Sequence, residues 1–258
     1  MGKGKKKEGK EKEYMEVIYE DNHIIVVNKA PGEIVQGDKT GDEPLVETLR
    51  RYIKEKYAKP GNVFCGVVHR LDRPVGGLVI FAKTSKALSR LNDMLRNGEI
   101  HKTYWAISRN APQEPSGELT HYITTTERNN KSYASPAPKP GAKEARLRYR
   151  EVAATERYHL LEIELLTGRK HQIRVQLAAI GCPIKGDLKY GDKRSNPDGS
   201  ISLLARRIEF IHPVSRKPVS LTAPVPQEDN LWRALEEAAQ NAEPTVESES
   251  TEKKRERE

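Results

Sequence analysis

Two cysteines in 258 residues, Cys65 and Cys182, are too few and too far apart for a disulfide framework or a metal-ligand spacing. A reducing compartment suits such a chain, and a cytoplasmic location is expected. Long apolar runs are missing too. None approaches the roughly 20 residues of a membrane span, so no membrane partner is expected. The basic N-terminus lacks the apolar stretch of a signal peptide. No segment repeats.

Charge is what the chain has in quantity. Charged residues make up 32 % against 36 % hydrophobic, and the formal net charge is +8. Residues 1–13 carry six Lys and three Glu, whereas 241–258 carry four basic and six acidic side chains, so an excess of +7 lies between the ends. A basic folded part suits a polyanionic partner. A soluble basic protein that never meets nucleic acid would share this composition. The expected organisation is a disordered basic arm over 1–13, a folded domain over 14–240 and a disordered charged tail over 241–258.

Periodicity alternates between strand and helix. Met15–Tyr19 and His23–Asn28 are β-rich runs around a turn-like Glu20-Asp21-Asn22. From Pro44 to Tyr57, Leu45, Leu49, Tyr52 and Ile53 share one helical side, with Pro near the first turn. Gly77–Ala82 reads as an apolar strand. Thr84 or Ser85 can cap a helix with Leu88, Leu91 and Leu95 as its stripe and Gly98 at its end. His101–Ile107, Arg146–Val152 and Tyr158–Leu165 read as strands, and Lys170–Ile180 as a helix closed by Gly181. Ile201–Phe210 and Pro218–Thr222 suggest a hairpin, and Asp229–Gln240 a final helix. Thr124–Lys143 lacks useful periodicity and reads as a long exposed loop. Strands joined by both turns and helices predict an α+β fold with a mixed, largely antiparallel sheet.

Four segments could carry chemistry. Val67–Gly77 runs from an apolar lead-in through His69, Arg70, Leu71 and Asp72 to Pro74 and two glycines. Asp72 would sit on a loop between strands, where reactive groups are commonly held. Spacing alone favours an ion pair with Arg70 or Arg73 instead. Thr167–Arg174 lies at a strand-to-helix junction, with Lys170 and Arg174 at i, i+4 and His171 adjacent. Cations there oppose the helix dipole, so a nearby anion is expected; a solvated basic face is the alternative. In a strand, Lys102 and Tyr104 share one face and Trp105 takes the other. An aromatic beside a cation is a platform for an unstacked base, although such a Tyr is usually core with a wet hydroxyl. Gly181–Asp187, with Tyr190-Gly191 beyond, reads as a shaped structural loop.

In order and wording, these segments resemble the RluA-type RNA pseudouridine synthase family from about Tyr19 to Pro226. The resemblance covers Asn28-Lys29-Ala30-Pro31-Gly32, His69-Arg70-Leu71-Asp72, Lys102-Thr103-Tyr104, Thr167–Arg174, Gly186-Asp187, Tyr190-Gly191 and His212-Pro213. It implies a pseudouridine-synthase-like core. Asp72 would be the catalytic aspartate, Tyr104 the residue that stacks on the target base, and Arg174 the basic partner of the aspartate. Arg70 would position the flipped nucleotide, and His69, Lys102, Arg169, Lys170 and His171 would help bind substrate. It also implies ribosomal or transfer RNA as partner, no metal, no organic cofactor and a monomer. Three departures stand out. Val75-Gly76-Gly77 replaces the common Thr-Ser-Gly after the aspartate, which bears on loop shape and substrate preference. Leu204 stands where a His commonly precedes Ala205. Residues 1–13 are too short for an N-terminal S4 domain, so a bare catalytic domain is expected.

The implied reaction detaches uracil from ribose, rotates it and reattaches it through C5. A carboxylate can serve as nucleophile at C6 or C1′, or as a base at C2′. A neighbouring guanidinium favours its charged form and fixes its orientation. The target base must be flipped out and held by stacking. The segment Thr124–Lys143, with Arg128 and Lys131, is expected to close on RNA. Deleting Asn129–Ala142 is expected to weaken RNA binding without abolishing folding. Two rivals use the same residues: a non-catalytic RNA-binding protein on this fold, and a nucleoside hydrolase that releases free uracil.

Overall fold

Paired runs of β-branched and apolar residues open the fold of this computed structural model, which describes residues 15–242. Strand β1 (Glu16–Glu20) pairs antiparallel with β2 (Ile24–Lys29) across the turn that Asp21 closes, its carboxylate accepting from the amides of His23 and Ile24. β2 has helices on both faces. Ile25 and Val27 pack under α1 (Leu45–Lys56), whereas Ile24 and Val26 pack under α2 (Ser85–Arg96). That is why β2 reads as an unbroken apolar run.

The helices start and stop for local reasons. Pro44 occupies the N-cap of α1, and Leu45, Val46, Leu49 and Ile53 form its buried side. The Thr84 hydroxyl caps α2 by accepting from the Ala87 amide. The buried stripe of α2 is Ala87, Leu91 and Met94; of the expected stripe Leu88, Leu91 and Leu95, only Leu91 is fully buried and the other two are partly so.

Between these helices run β3 (Gly66–Val67) and β4 (Gly76–Ala82). Six further strands continue the sheet: β5 (His101–Ser108), β6 (Ser116–Thr126), β7 (Lys131–Ser135), β8 (Lys143–Ala154), β9 (His159–Leu165) and β10 (Leu203–Ile211). With β11 (Pro218–Thr222) paired to β10 and β3 paired to β4, the sheet has eleven strands. Its main order is β1-β2-β4-β10-β5-β9-β8-β6-β7. All pairings are antiparallel except that of β4 with β10, which joins Gly76 to Leu204 and Gly77 to Ala205. A Cβ on Gly77, whose φ is +111°, would lie 2.4 Å from the Ala205 carbonyl oxygen. Helix α3 (Gln172–Ala179) covers one face of the second half, over Tyr104, Leu147 and Ile163. Helix α4 (Asn230–Ala242) covers the other face, over Trp105, Ile107 and Leu160. The fold is α+β with a mixed, largely antiparallel sheet.

Three expectations change. Thr124–Lys143 is not a long loop: Tyr122–Thr126 pairs with Lys131–Ser135 in a hairpin whose turn includes the left-handed Asn130. Within that segment only the turn at 127–130 and the stretch 136–142 lie outside strands. Helix α3 begins at Gln172 rather than Lys170, because His171 adopts φ 54° and ψ 24°. Lys170 is therefore not on the helix, and it shares no face with Arg174. At the C-terminal end α4 runs to Ala242, so the expected tail boundary at 241 falls inside a helix. The arm over 1–13 lies outside the described residues, as does 243–258 of the tail.

Candidate active site

The loop between β3 and β4 is locked through its backbone. The Val75 amide donates to the Asp72 carbonyl at 3.0 Å, the Gly32 amide to the Arg73 carbonyl at 2.8 Å, and the Ile201 amide to the Pro74 carbonyl at 3.1 Å. Lys29, 1 % exposed, donates its ammonium to the carbonyls of Ala30 (2.8 Å) and Arg73 (3.2 Å). Burial pulls this ammonium down to about 8, so it remains largely charged at neutral pH. Val75 is buried in the core and Gly76 lies against the Lys29 carbonyl and Pro31, so both residues that depart from the common pattern after Asp72 pack against the protein.

The loop holds the Asp72 carboxylate partly exposed, 3.0 Å from Nη1 of Arg174. Arg174 projects from the first turn of α3 and is 5 % exposed. Its other two donors form a fork on Asp187, Nε to Oδ2 at 2.6 Å and Nη2 to Oδ1 at 2.9 Å. One guanidinium thus serves two carboxylates. These are the anions that offset a cation at a helix start. Lys29 supplies the second positive charge near Asp72. The ion pair that spacing favoured does not form: Arg73 binds Asp42 and Asp38, and Arg70 is exposed without an ion pair among the described residues.

Tyr104 and Trp105 do take opposite faces of β5. Tyr104 is buried, and burial together with the Asp72 charge pushes its phenol up, so it stays neutral. Its hydroxyl has no hydrogen-bond partner among the described residues. Lys102 is partly buried, and its ammonium too has no hydrogen bond or ion pair among the described residues; burial lowers its pKa. His69 turns inward, its Nε2 accepting from the Ile80 amide at 3.1 Å. Burial pulls the His69 ring down to about 3, with Lys102 adding to the effect, so it is neutral. Lys170 is exposed, and Arg169, also exposed, spends its Nε on the Glu144 carbonyl. His171 is buried, with Nδ1 2.7 Å from the Tyr190 hydroxyl and Nε2 3.7 Å from Asp72 Oδ2. Leu204, where a His is common, is buried against Trp105 and the α4 side chains.

Sequence reasoning missed Asp187, Tyr190 and Lys29 as parts of this site. Gly186-Asp187 was legible as a shaped loop, and Gly186 has φ +89° with Asn196 and the Ser200 carbonyl under 3 Å from where a Cβ would sit. Only the fold shows that this shape aims Asp187 at Arg174. Lys29 closes an apolar strand and lies in a segment that carries the family resemblance, but neither signal assigns it to the site.

The mixed, largely antiparallel sheet with its four flanking helices is a pseudouridine synthase fold. Two solved human proteins share it: RNA Pseudouridylate Synthase Domain Containing 4 (TM-score 0.69, 23 % identity, 83 % of this chain and 89 % of that one) and Domain Containing 1 (TM-score 0.67, 23 % identity, 93 % and 98 %). The family described as RNA pseudouridylate synthase matches residues 23–179. Among curated relatives, the ribosomal large subunit pseudouridine synthase D of Xanthomonas campestris is 33 % identical over 88 % of this chain and 71 % of its own length. The tRNA pseudouridine synthase C of Vibrio vulnificus is 32 % identical over 86 % and 94 %. The chain belongs to the RNA pseudouridine synthase family, in its RluA-type branch, whose members isomerise uridine to pseudouridine in RNA.

Proposed function

We propose that this enzyme isomerises particular uridines in structured ribosomal or transfer RNA, with Asp72 as the nucleophile. The observation that carries the reading is the Arg174–Asp72 contact of 3.0 Å, backed by the buried Asp187 fork and set beside Tyr104. The reaction breaks the N1–C1′ bond and forms a C5–C1′ bond. The proton lost from C5 is balanced by one gained at N1, so the formula does not change. No redox partner or water is consumed.

Each residue has a part in that scheme. Arg174 orients the carboxylate with a donor that cannot lose its charge. Tyr104 stacks on the flipped uracil, an interaction that supplies about 1–3 kcal/mol against the cost of flipping. Arg70 and Lys102, both without an ionic partner among the described residues, meet phosphates of the flipped nucleotide and its neighbours. Arg169 and Lys170 extend the basic rim, while His69 supports the loop from below. The named activities of the relatives, on ribosomal RNA and on tRNA, favour these two substrate classes. The catalytic unit works as a monomer in the cytoplasm.

Tritium release from RNA labelled at C5 of uridine tests the assignment. Wild-type protein should release tritium, and Asp72→Asn should release none above background while keeping RNA affinity. Equal release by both proteins would remove Asp72 from the chemistry.

A further inference from the structure

The family resemblance assigns His171 to substrate binding, yet its ring is enclosed. It is 8 % exposed, it meets Tyr190 edge-on with ring centroids 5.7 Å apart, and its backbone is left-handed. A left-handed conformation is costly for a residue with a side chain and persists where the surroundings over-determine it. The surroundings here are three residues deep. Ser132, on β7, donates its amide to the Tyr190 hydroxyl at 2.8 Å and its own hydroxyl to the Lys170 carbonyl at 2.8 Å. The Tyr190 ring also lies 5.0 Å from the Arg174 guanidinium carbon.

This chain of contacts can set the imidazole proton. The Tyr190 oxygen accepts from the Ser132 amide, and Nδ1 of His171, 2.7 Å away, can accept the tyrosine's own proton. A neutral imidazole that accepts at Nδ1 carries its proton on Nε2. The ring is neutral at physiological pH, since burial pulls it down to about 4 despite the Asp72 charge. Nε2 faces Oδ2 of Asp72 at 3.7 Å, the same oxygen that Arg174 holds at 3.0 Å. Oδ1 of Asp72 has no partner among the described residues.

We propose that His171 is a positioning residue for Asp72: held as the Nε2–H tautomer by Tyr190, it works with Arg174 to engage Oδ2 and so presents Oδ1 to the substrate. This rests on the reading of Asp72 as the nucleophile. A neutral donor suits the task. It restrains the carboxylate's rotation without adding, to the charges of Arg174 and Lys29, a further full charge that would stabilise the anion and blunt its reactivity. The 3.7 Å separation is longer than a hydrogen bond, so the contact tightens when the carboxylate moves toward the base. Active-site contacts commonly tighten in this way once substrate binds. The relay also ties the carboxylate to β7 through Tyr190 and Ser132.

Two variants separate this role from folding and from RNA binding. His171→Asn tolerates a left-handed backbone and keeps an acceptor for Tyr190, but its shorter amide cannot reach Asp72. Tyr190→Phe removes the hydroxyl that sets the tautomer. Both are assayed in the full chain, under single-turnover conditions, on C5-tritiated total RNA from cells lacking this protein. His171→Asn should slow release at saturating enzyme by roughly tenfold to a hundredfold, the span of a hydrogen bond to a charged group. RNA affinity by filter binding should stay within about twofold, and the thermal midpoint should hold. Tyr190→Phe should give a smaller loss of rate. In wild type, the histidine ¹⁵N spectrum should show His171 protonated at Nε2 and bare at Nδ1, identified by its absence in His171→Asn; Tyr190→Phe should mix the tautomers. Wild-type rates in His171→Asn, a loss of RNA affinity in place of rate, or a proton found on Nδ1 would each overturn the proposal. If His171→Asn fails to fold, the wild-type spectrum and the Tyr190→Phe rate decide it. Should Asp72→Asn still release tritium, the underlying reading fails; if that variant is inert while His171→Asn matches wild type, only the positioning role fails.

Discussion

His69 shows at the scale of one residue how a loop that carries chemistry is anchored. Its ring receives the Ile80 amide and cannot readily be protonated, its pKa being drawn from 6.5 to about 3. The unfolded chain takes up a proton there as pH falls below about 6.5, and the folded chain does not, so stability is complete above that pH and declines as pH falls toward 3. His171, drawn to about 4, adds to the decline over most of the same window. The thermal midpoint should therefore drop between pH 6.5 and 4 in wild type. It should drop less steeply in His69→Gln, which keeps an acceptor for Ile80 but does not titrate; parallel slopes would argue against this account. Residue-scale legibility was uneven for a related reason. Asp72, Arg174 and Tyr104 lie in segments distinctive enough to single out, and the structure brings them together. Asp187 contributes as much to the geometry of Arg174, but a lone aspartate after a glycine carries no periodic or spacing signal.

Among the elements, the hairpin of β6 and β7 was the least legible. A half-buried strand announces itself by alternating apolar residues, but the buried positions of β7 include Ser132 and Ser135. Ser132 is compatible with burial because Tyr190 and Lys170 satisfy its polar atoms, and neither partner is local in sequence. The start of α3 was misjudged by two residues for a similar reason, since the left-handed turn at His171 is held by tertiary contacts. By contrast β2, β4, α1 and α2 bury strongly periodic or continuous apolar faces, and their limits were readable to within a residue or two. The hairpin also changes what a deletion would do. Removing Asn129–Ala142 takes away β7 and the Ser132 bonds to Tyr190 and Lys170, rather than trimming a loop. That deletion should lower the thermal midpoint and abolish tritium release as well as weaken RNA binding. A variant as stable and active as wild type would mean that β7 does not support the site.

For the whole molecule, the relevant quantity is the excess of +7 between the charged ends. RNA binding that uses this charge releases counterions and weakens as salt rises. Removing one cation that neutralises a phosphate should reduce the slope of log affinity against log salt by about 0.7–0.9. Arg70→Ala and Lys102→Ala should each show a decrement of that size, measured by filter binding across a salt series. A variant that lowers affinity equally at every salt concentration would show that the side chain does not meet a phosphate. No described helix is long and apolar enough to cross a membrane.

The two-residue parallel seam between β4 and β10 bears on how the molecule is made. β10 lies between β4 and β5, so the strands that carry the Asp72 loop reach the rest of the sheet only through a strand near the far end of the chain. A ribosome delivers Asp72 first, Arg174 about a hundred residues later, and the strand that joins their two halves last. A nascent chain stopped before Leu203 can form hairpins and helices on either side, but it lacks the strand that would hold the carboxylate against its guanidinium. The carboxylate and its guanidinium are thus brought onto one sheet only once Leu203–Ile211 has been made, long after both residues themselves.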